Sequence, residues 1–167
     1  GAGKTTTGFA LSQRLNIKFV DSDREIERME NDNITNVFNT KGEESFKELE
    51  RKVIFNLIKS PRPQVLSIGG NAFDDEVIRE RIKERTISVF LDVELEVLLD
   101  RVMRRNTRPI LEGGDKKAIM TDIYNKKISV YREADICVNT TYLSRETSIN
   151  VIVKSIADYI RDYSNRE

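Results

Sequence analysis

The chain opens on Gly1-Ala2-Gly3-Lys4-Thr5-Thr6-Thr7-Gly8, and no other stretch restricts the fold as strongly. It reads as the second half of a phosphate-binding loop running into a helix, the pattern G-x-x-x-x-G-K-[ST], whose first glycine would fall ahead of Gly1. Gly3, lacking a Cβ, lets the backbone approach a phosphate closely. Lys4 can reach the β- and γ-phosphates, and the Thr5 hydroxyl can ligate Mg²⁺. The first amides of the helix point at the anion, and the helix dipole favours it. Such a loop is the turn after a strand. The reading therefore implies a first strand that is missing from this chain.

Composition narrows the chemistry around that loop. At 167 residues the expectation is one domain. Lys+Arg and Asp+Glu each count 28, so no sequence-wide basic field argues for nucleic acid or a membrane surface. The absence of histidine removes His-based triads and His-ligated zinc, so a metal here must be a hard ion held by oxygens. Cys137 is the only cysteine, which excludes an internal disulfide and fits a reducing cytoplasm. No apolar run reaches the roughly 18 residues of a spanning helix. The expectation is a cytoplasmic protein with no nucleic-acid or membrane partner.

Hydrophobic periodicity predicts helices over residues 4–15, 23–31, 34–40, 42–59, 74–84, 94–104, 117–132 and 146–163. Strands are predicted over 17–20, 64–68, 86–91 and 135–139. Phe9, Ala10, Leu11 and Leu15 form the apolar side of the first helix, and Ile149, Val153, Ile156 and Ile160 that of the last. Residues 105–116, with Arg-Pro and Gly-Gly, read as a mobile loop. Strands alternating with helices imply an α/β fold whose parallel sheet is covered on both faces.

In such a sheet ligands bind at the carboxyl ends of the strands, and three of those ends carry loaded residues. In Asp21-Ser22-Asp23 one acid can sit near Mg²⁺ and the other accept a hydroxyl proton. The same residues also suit a helix N-cap with an acidic first turn. Ser67-Ile68-Gly69-Gly70-Asn71 can offer bare backbone to a ligand, or simply form a tight turn. Arg104, Arg105 and Arg108 suit a lid that closes over phosphates, or a solvated basic loop.

Taken in order, these pieces resemble the shikimate kinase family. They are Gly3-Lys4-Thr5, Asp21-x-Asp23, Gly42-Glu43-Glu44-Ser45-Phe46-Lys47-Glu48-Leu49-Glu50, Gly69-Gly70-Asn71, Arg108-Pro109-Ile110-Leu111 and Lys127-x-x-x-Tyr131. The resemblance implies a three-layer α/β/α P-loop kinase fold with parallel strand order 2-3-1-4-5. The chain would be a single kinase domain over 1–167, with a substrate-binding helical insert at about 23–60 and a lid at about 105–118. It implies transfer of the γ-phosphoryl of ATP to the 3-hydroxyl of shikimate, with Mg²⁺ as cofactor, on the route to aromatic amino acids. Gly1, Ala2, Gly3, Lys4, Thr5 and Thr6 would hold ATP, with Arg104 beside the adenine and Arg108 reaching over the phosphates. Thr5 and Asp21 would serve the metal. Asp23 would bind the attacking hydroxyl and act as its base, and Lys47, Gly69, Gly70 and Lys127 would complete the substrate site.

Three positions depart from the family pattern. Lys47 and Lys127 stand where the family carries arginines for the substrate carboxylate, and Asn71 stands where it carries a third glycine. Lysine keeps the charge and loses the planar two-pronged hydrogen bonding. The departures leave the alternative of a kinase for another hydroxylated acid, gluconate-kinase-like, and the missing first strand leaves that of a non-catalytic nucleotide-binding remnant.

Overall fold

The computed structural model describes residues 1–105 and 115–166. In chain order the elements are α1 (Lys4–Leu15), β1 (Lys18–Asp21), α2 (Ser22–Glu30), α3 (Ile34–Lys41), α4 (Glu43–Ile58) and β2 (Gln64–Ser67). A 3-10 helix (Ala72–Asp74), α5 (Glu76–Arg85), β3 (Val89–Asp92) and α6 (Leu95–Arg105) come next. The chain ends with α7 (Lys116–Tyr131), β4 (Ile136–Asn139) and α8 (Arg145–Ser164). Two compact units form, Thr5–Ile87 and Gly1–Lys4 with Ser88–Glu167.

In the first unit β1 and β2 pair in parallel, from Lys18 opposite Gln64 to Asp21 opposite Ser67. Polar residues set the helix starts. Asp21 caps α2, Asn33 caps α3 and Asp75 caps α5, each accepting from the backbone amides of its own first turn. Gly42 ends α3 and starts α4 at φ 79° and ψ 169°, a conformation that residues with a Cβ rarely adopt. Ile26, Val37 and Val53 are buried together, with Ile34, Phe46, Leu49 and Leu57 packed around them. This cluster seats α2, α3 and α4 on one another. Truncating Val53 to alanine would cost on the order of 2–4 kcal/mol, lost burial plus the cavity.

In the second unit β3 and β4 pair in parallel, from Val89 opposite Ile136 to Asp92 opposite Asn139. Leu91, Ile136 and Val138 from this pair are buried, as are Val93 just after β3 and Leu99, Val102, Ile149 and Ile152 from α6 and α8. Asp135 accepts from the Ser88 amide and hydroxyl and from the Tyr159 hydroxyl, tying α8 to the start of both strands. Both parallel pairings are those expected for these strands, and the element order matches the periodicity.

Three details differ from the sequence expectation. The third strand starts at Val89 because Thr86 still terminates α5, its amide and hydroxyl both bonding the Ile82 carbonyl. Phe9 is 54% exposed and Leu15 is exposed too, so Leu11 alone of the predicted apolar set in α1 is buried. In α8 the buried residues are Ser148, Ile149 and Ile152, while Ile160 of the predicted apolar set is 50% exposed.

Candidate active site

The register of β1 and β2 brings two distant motifs side by side. With Asp21 opposite Ser67, the chain leaves β1 as Asp21-Ser22-Asp23 next to where it leaves β2 as Ser67-Ile68-Gly69. Ser22 is fully buried and its hydroxyl oxygen accepts the Gly69 amide at 3.1 Å. That bond satisfies a buried backbone donor and fixes the two strand ends together.

Asp21 has two roles. Its Oδ1 accepts from the Asp23 amide at 3.0 Å and the Arg24 amide at 3.4 Å, which is the N-cap of α2. Its Oδ2 accepts the Thr5 hydroxyl at 2.9 Å. One carboxylate therefore both caps α2 and bonds the Thr5 hydroxyl at the start of α1. Among the described residues no three His, Cys, Asp or Glu side chains cluster as a metal cage. Thr5 and Asp21 are nonetheless adjacent hard oxygen donors, the kind that suits an ion keeping several waters and phosphate oxygens of its own.

Asp23 and Glu50 converge on Gly69. A Cβ on Gly69 would stand 2.7 Å from Oδ1 of Asp23 and 2.9 Å from Oε1 of Glu50, so an alanine there would require both carboxylate tips to shift. Gly70 is exposed, with open space where its Cβ would be. Glu50 is 5% exposed, an unusual burial for a glutamate. As a site residue it was missed in the sequence, because a charge inside a helix reads as solvent-facing. The available signal was its place at the end of Gly42–Glu50, one turn beyond Lys47 on the same helix face.

Lys47 pairs with Glu43 at 2.9 Å and Glu44 at 3.8 Å. The hydrogen bond to Glu43 raises its pKa above the ordinary lysine value, and both glutamates add to the effect, so it is cationic at neutral pH. Asn71 is exposed and precedes the 3-10 helix.

In the second unit Gly3 takes φ 87°, and Lys4 follows as the exposed first residue of α1, which has no acid in its first turn to oppose an anion. A Cβ on Gly1 would lie 3.2 Å from Val102 Cγ2, so α6 packs tightly on the start of the loop. Arg104 is exposed and bonded through Nε to Asp100 at 3.0 Å. On α7, Lys126 is exposed and paired with Asp122 at 2.7 Å, whereas Lys127 is half-buried. Arg108 and the predicted loop around it lie outside the described residues.

Comparison with known proteins shows the family. The family model described as shikimate kinase matches residues 1–157. A shikimate kinase of Ruegeria pomeroyi is 42% identical over 156 residues, covering 93% of this chain and 78% of that protein. One from Rhizobium meliloti is 36% identical over 159 residues, covering 95% and 82%. Among solved structures, shikimate kinase from Acinetobacter baumannii in complex with shikimate aligns with a TM-score of 0.84 at 31% identity, covering 94% of this chain and 88% of that one. The enzyme from Bacteroides thetaiotaomicron aligns with a TM-score of 0.83 at 27% identity, covering 94% and 93%. The alternative of a kinase for a different hydroxylated acid is not favoured by these matches. With a phosphate-loop helix, an Asp-Ser-Asp strand end locked to a glycine turn, and relatives alike over nearly its whole length, the chain belongs to the shikimate kinase family.

Proposed function

We propose that this chain transfers the γ-phosphoryl group of ATP to the 3-hydroxyl of shikimate, using the residues gathered at the ends of β1 and β2 together with the loop that opens α1. The observation that carries the assignment is the convergence of Asp23 and Glu50 on Gly69, with Lys47 on the same helix face as Glu50. That arrangement offers acceptors for ring hydroxyls beside a cation for a carboxylate.

The hydroxyl oxygen forms a bond to the γ-phosphorus, the bond from that phosphorus to the bridging oxygen of ADP breaks, and the hydroxyl proton passes to Asp23. Little covalent work falls to the protein, because such transfers depend on alignment and charge neutralisation. Lys4 and the first amides of α1 bind the phosphates, with Gly1, Ala2, Gly3 and Thr6 lining the loop. Thr5 and Asp21 would hold Mg²⁺, which when bound neutralises phosphate charge. Lys47 and Lys127 attract the substrate carboxylate, Gly69 and Gly70 line its ring, and Arg104 and Arg108 serve the nucleotide from the lid side.

Helices α2 to α4 act as the substrate-binding insert of one kinase domain. The working unit is a monomer, which sedimentation of the purified protein checks. A cytoplasmic location is supported by the lone, exposed Cys137, and no helix among the described residues is long and apolar enough to cross a membrane. The deciding experiment couples ADP release to NADH oxidation with ATP, Mg²⁺ and shikimate. Turnover that depends on shikimate is expected; none at millimolar shikimate overturns the assignment.

A further inference from the structure

Arg51 and Asp75 form an ion pair 24 residues apart in sequence. Nε lies 2.9 Å and Nη2 2.8 Å from the same carboxylate oxygen, Oδ2. The other oxygen, Oδ1, accepts from the amides of Val77 at 3.0 Å and Ile78 at 3.2 Å, capping α5. Burial pushes the Asp75 carboxyl up, but the Arg51 guanidinium and the two amides outweigh it and hold the group below the usual carboxylate range. A largely buried carboxylate engaged on both oxygens is a fixed point. Exposed pairs within one helix, such as Arg81 with Glu84, fix little.

The elements joined by this pair give it a role beyond stability. Arg51 directly follows Glu50 in α4 and lies one turn beyond Lys47. Glu44 and Asp75 act electrostatically on both Lys47 and Arg51, so the two cations share one neighbourhood. Asp75 is tied back to the glycine turn through backbone bonds, Asp75 N–H to Ala72 O at 3.2 Å and Ala72 N–H to Gly69 O at 3.0 Å. A shift of Arg51 against Asp75 is therefore a shift of Lys47 and Glu50 against Gly69.

We propose that Arg51 and Asp75 are positioning residues: their ion pair sets the spacing between α4 and the Gly69-Gly70 turn, and through it the affinity for the acid substrate, without contact with that substrate. The inference rests on the reading of Lys47, Gly69 and Gly70 as substrate-binding residues.

The test uses steady-state kinetics of Asp75→Asn, Arg51→Gln, Arg51→Lys and the double variant Arg51→Gln/Asp75→Asn, varying shikimate and ATP separately. Asparagine keeps the capping oxygen of α5 and removes the charge. Each neutralising single variant is expected to raise KM for shikimate about tenfold, with KM for ATP and kcat within about twofold. The double variant should be no worse than the singles, because both belong to one network. Arg51→Lys should recover part of the loss. A shikimate KM that moves less than twofold, a parallel rise for ATP, or additive losses in the double variant would overturn the inference. If the unaltered enzyme turns over shikimate and the variants do not change its KM, the positioning role alone fails. If the unaltered enzyme does not use shikimate, the substrate reading fails with it.

Discussion

The Thr5 hydroxyl donates a 2.9 Å hydrogen bond to Oδ2 of Asp21, sixteen residues away, while Oδ1 of the same carboxylate caps α2. One side chain thus couples the helix of the phosphate loop to the end of the neighbouring strand. The two functions can be separated. Asp21→Asn retains an oxygen for the cap, so it should cost less than about 1 kcal/mol of stability. It removes the charge that suits a hard cation, so the Mg²⁺ concentration for half-maximal activity should rise severalfold. Thermal melting and a Mg²⁺ titration of turnover measure the two effects independently.

Gly69 and Gly70 are adjacent and should behave in opposite ways. Gly69→Ala pushes a methyl group to within 3 Å of Asp23 and Glu50. The two carboxylate tips can turn aside, so it should destabilise by about 1 kcal/mol, the low end of overpacking, and by displacing them lower kcat/KM at least tenfold. Gly70→Ala meets nothing within 4 Å and should leave stability within about 0.5 kcal/mol. Equal melting temperatures for the two variants would contradict the packing described around Gly69.

Lys47→Arg restores a two-pronged donor at a position where the ammonium already leans on Glu43 and Glu44. KM for shikimate should fall by about 3- to 10-fold, the worth of roughly one further hydrogen bond, with kcat nearly unchanged. An unchanged KM would remove Lys47 from the substrate site.

Asp75 should leave a mark on acid stability. Its folded pKa lies below its unfolded one, so its contribution is complete above the ordinary carboxylate range, about pH 4, and is lost as pH falls through the lower folded value. The melting temperature of the unaltered protein should therefore drop more steeply below about pH 4 than that of Asp75→Asn. Parallel curves for the two proteins would show that the ion pair contributes nothing there.

What could be read in the sequence was local. Asn33, Asp75 and Ser144 start helices because a short polar side chain can bond the next turn, and that requires no knowledge of the rest of the chain. The phosphate-loop helix and the Asp-Ser-Asp strand end were legible for the same reason. Glu50 and Ser22 were not, because their burial depends on Gly69, which comes close only once β1 and β2 are in register. Phe9 misled in the other direction. Periodicity places it on the apolar side of α1, yet over half of it is exposed, with its ring perpendicular to that of Phe19 at 6.0 Å between centroids.

Gly42 carries a wider implication. Because α3 stops and α4 begins on this one residue, no spacer absorbs a change of direction between them. The direction in which Lys47 and Glu50 project is inherited from two torsion angles at Gly42. A side chain there would strain those torsions, and any relaxation of the strain would re-aim the whole of α4 at once.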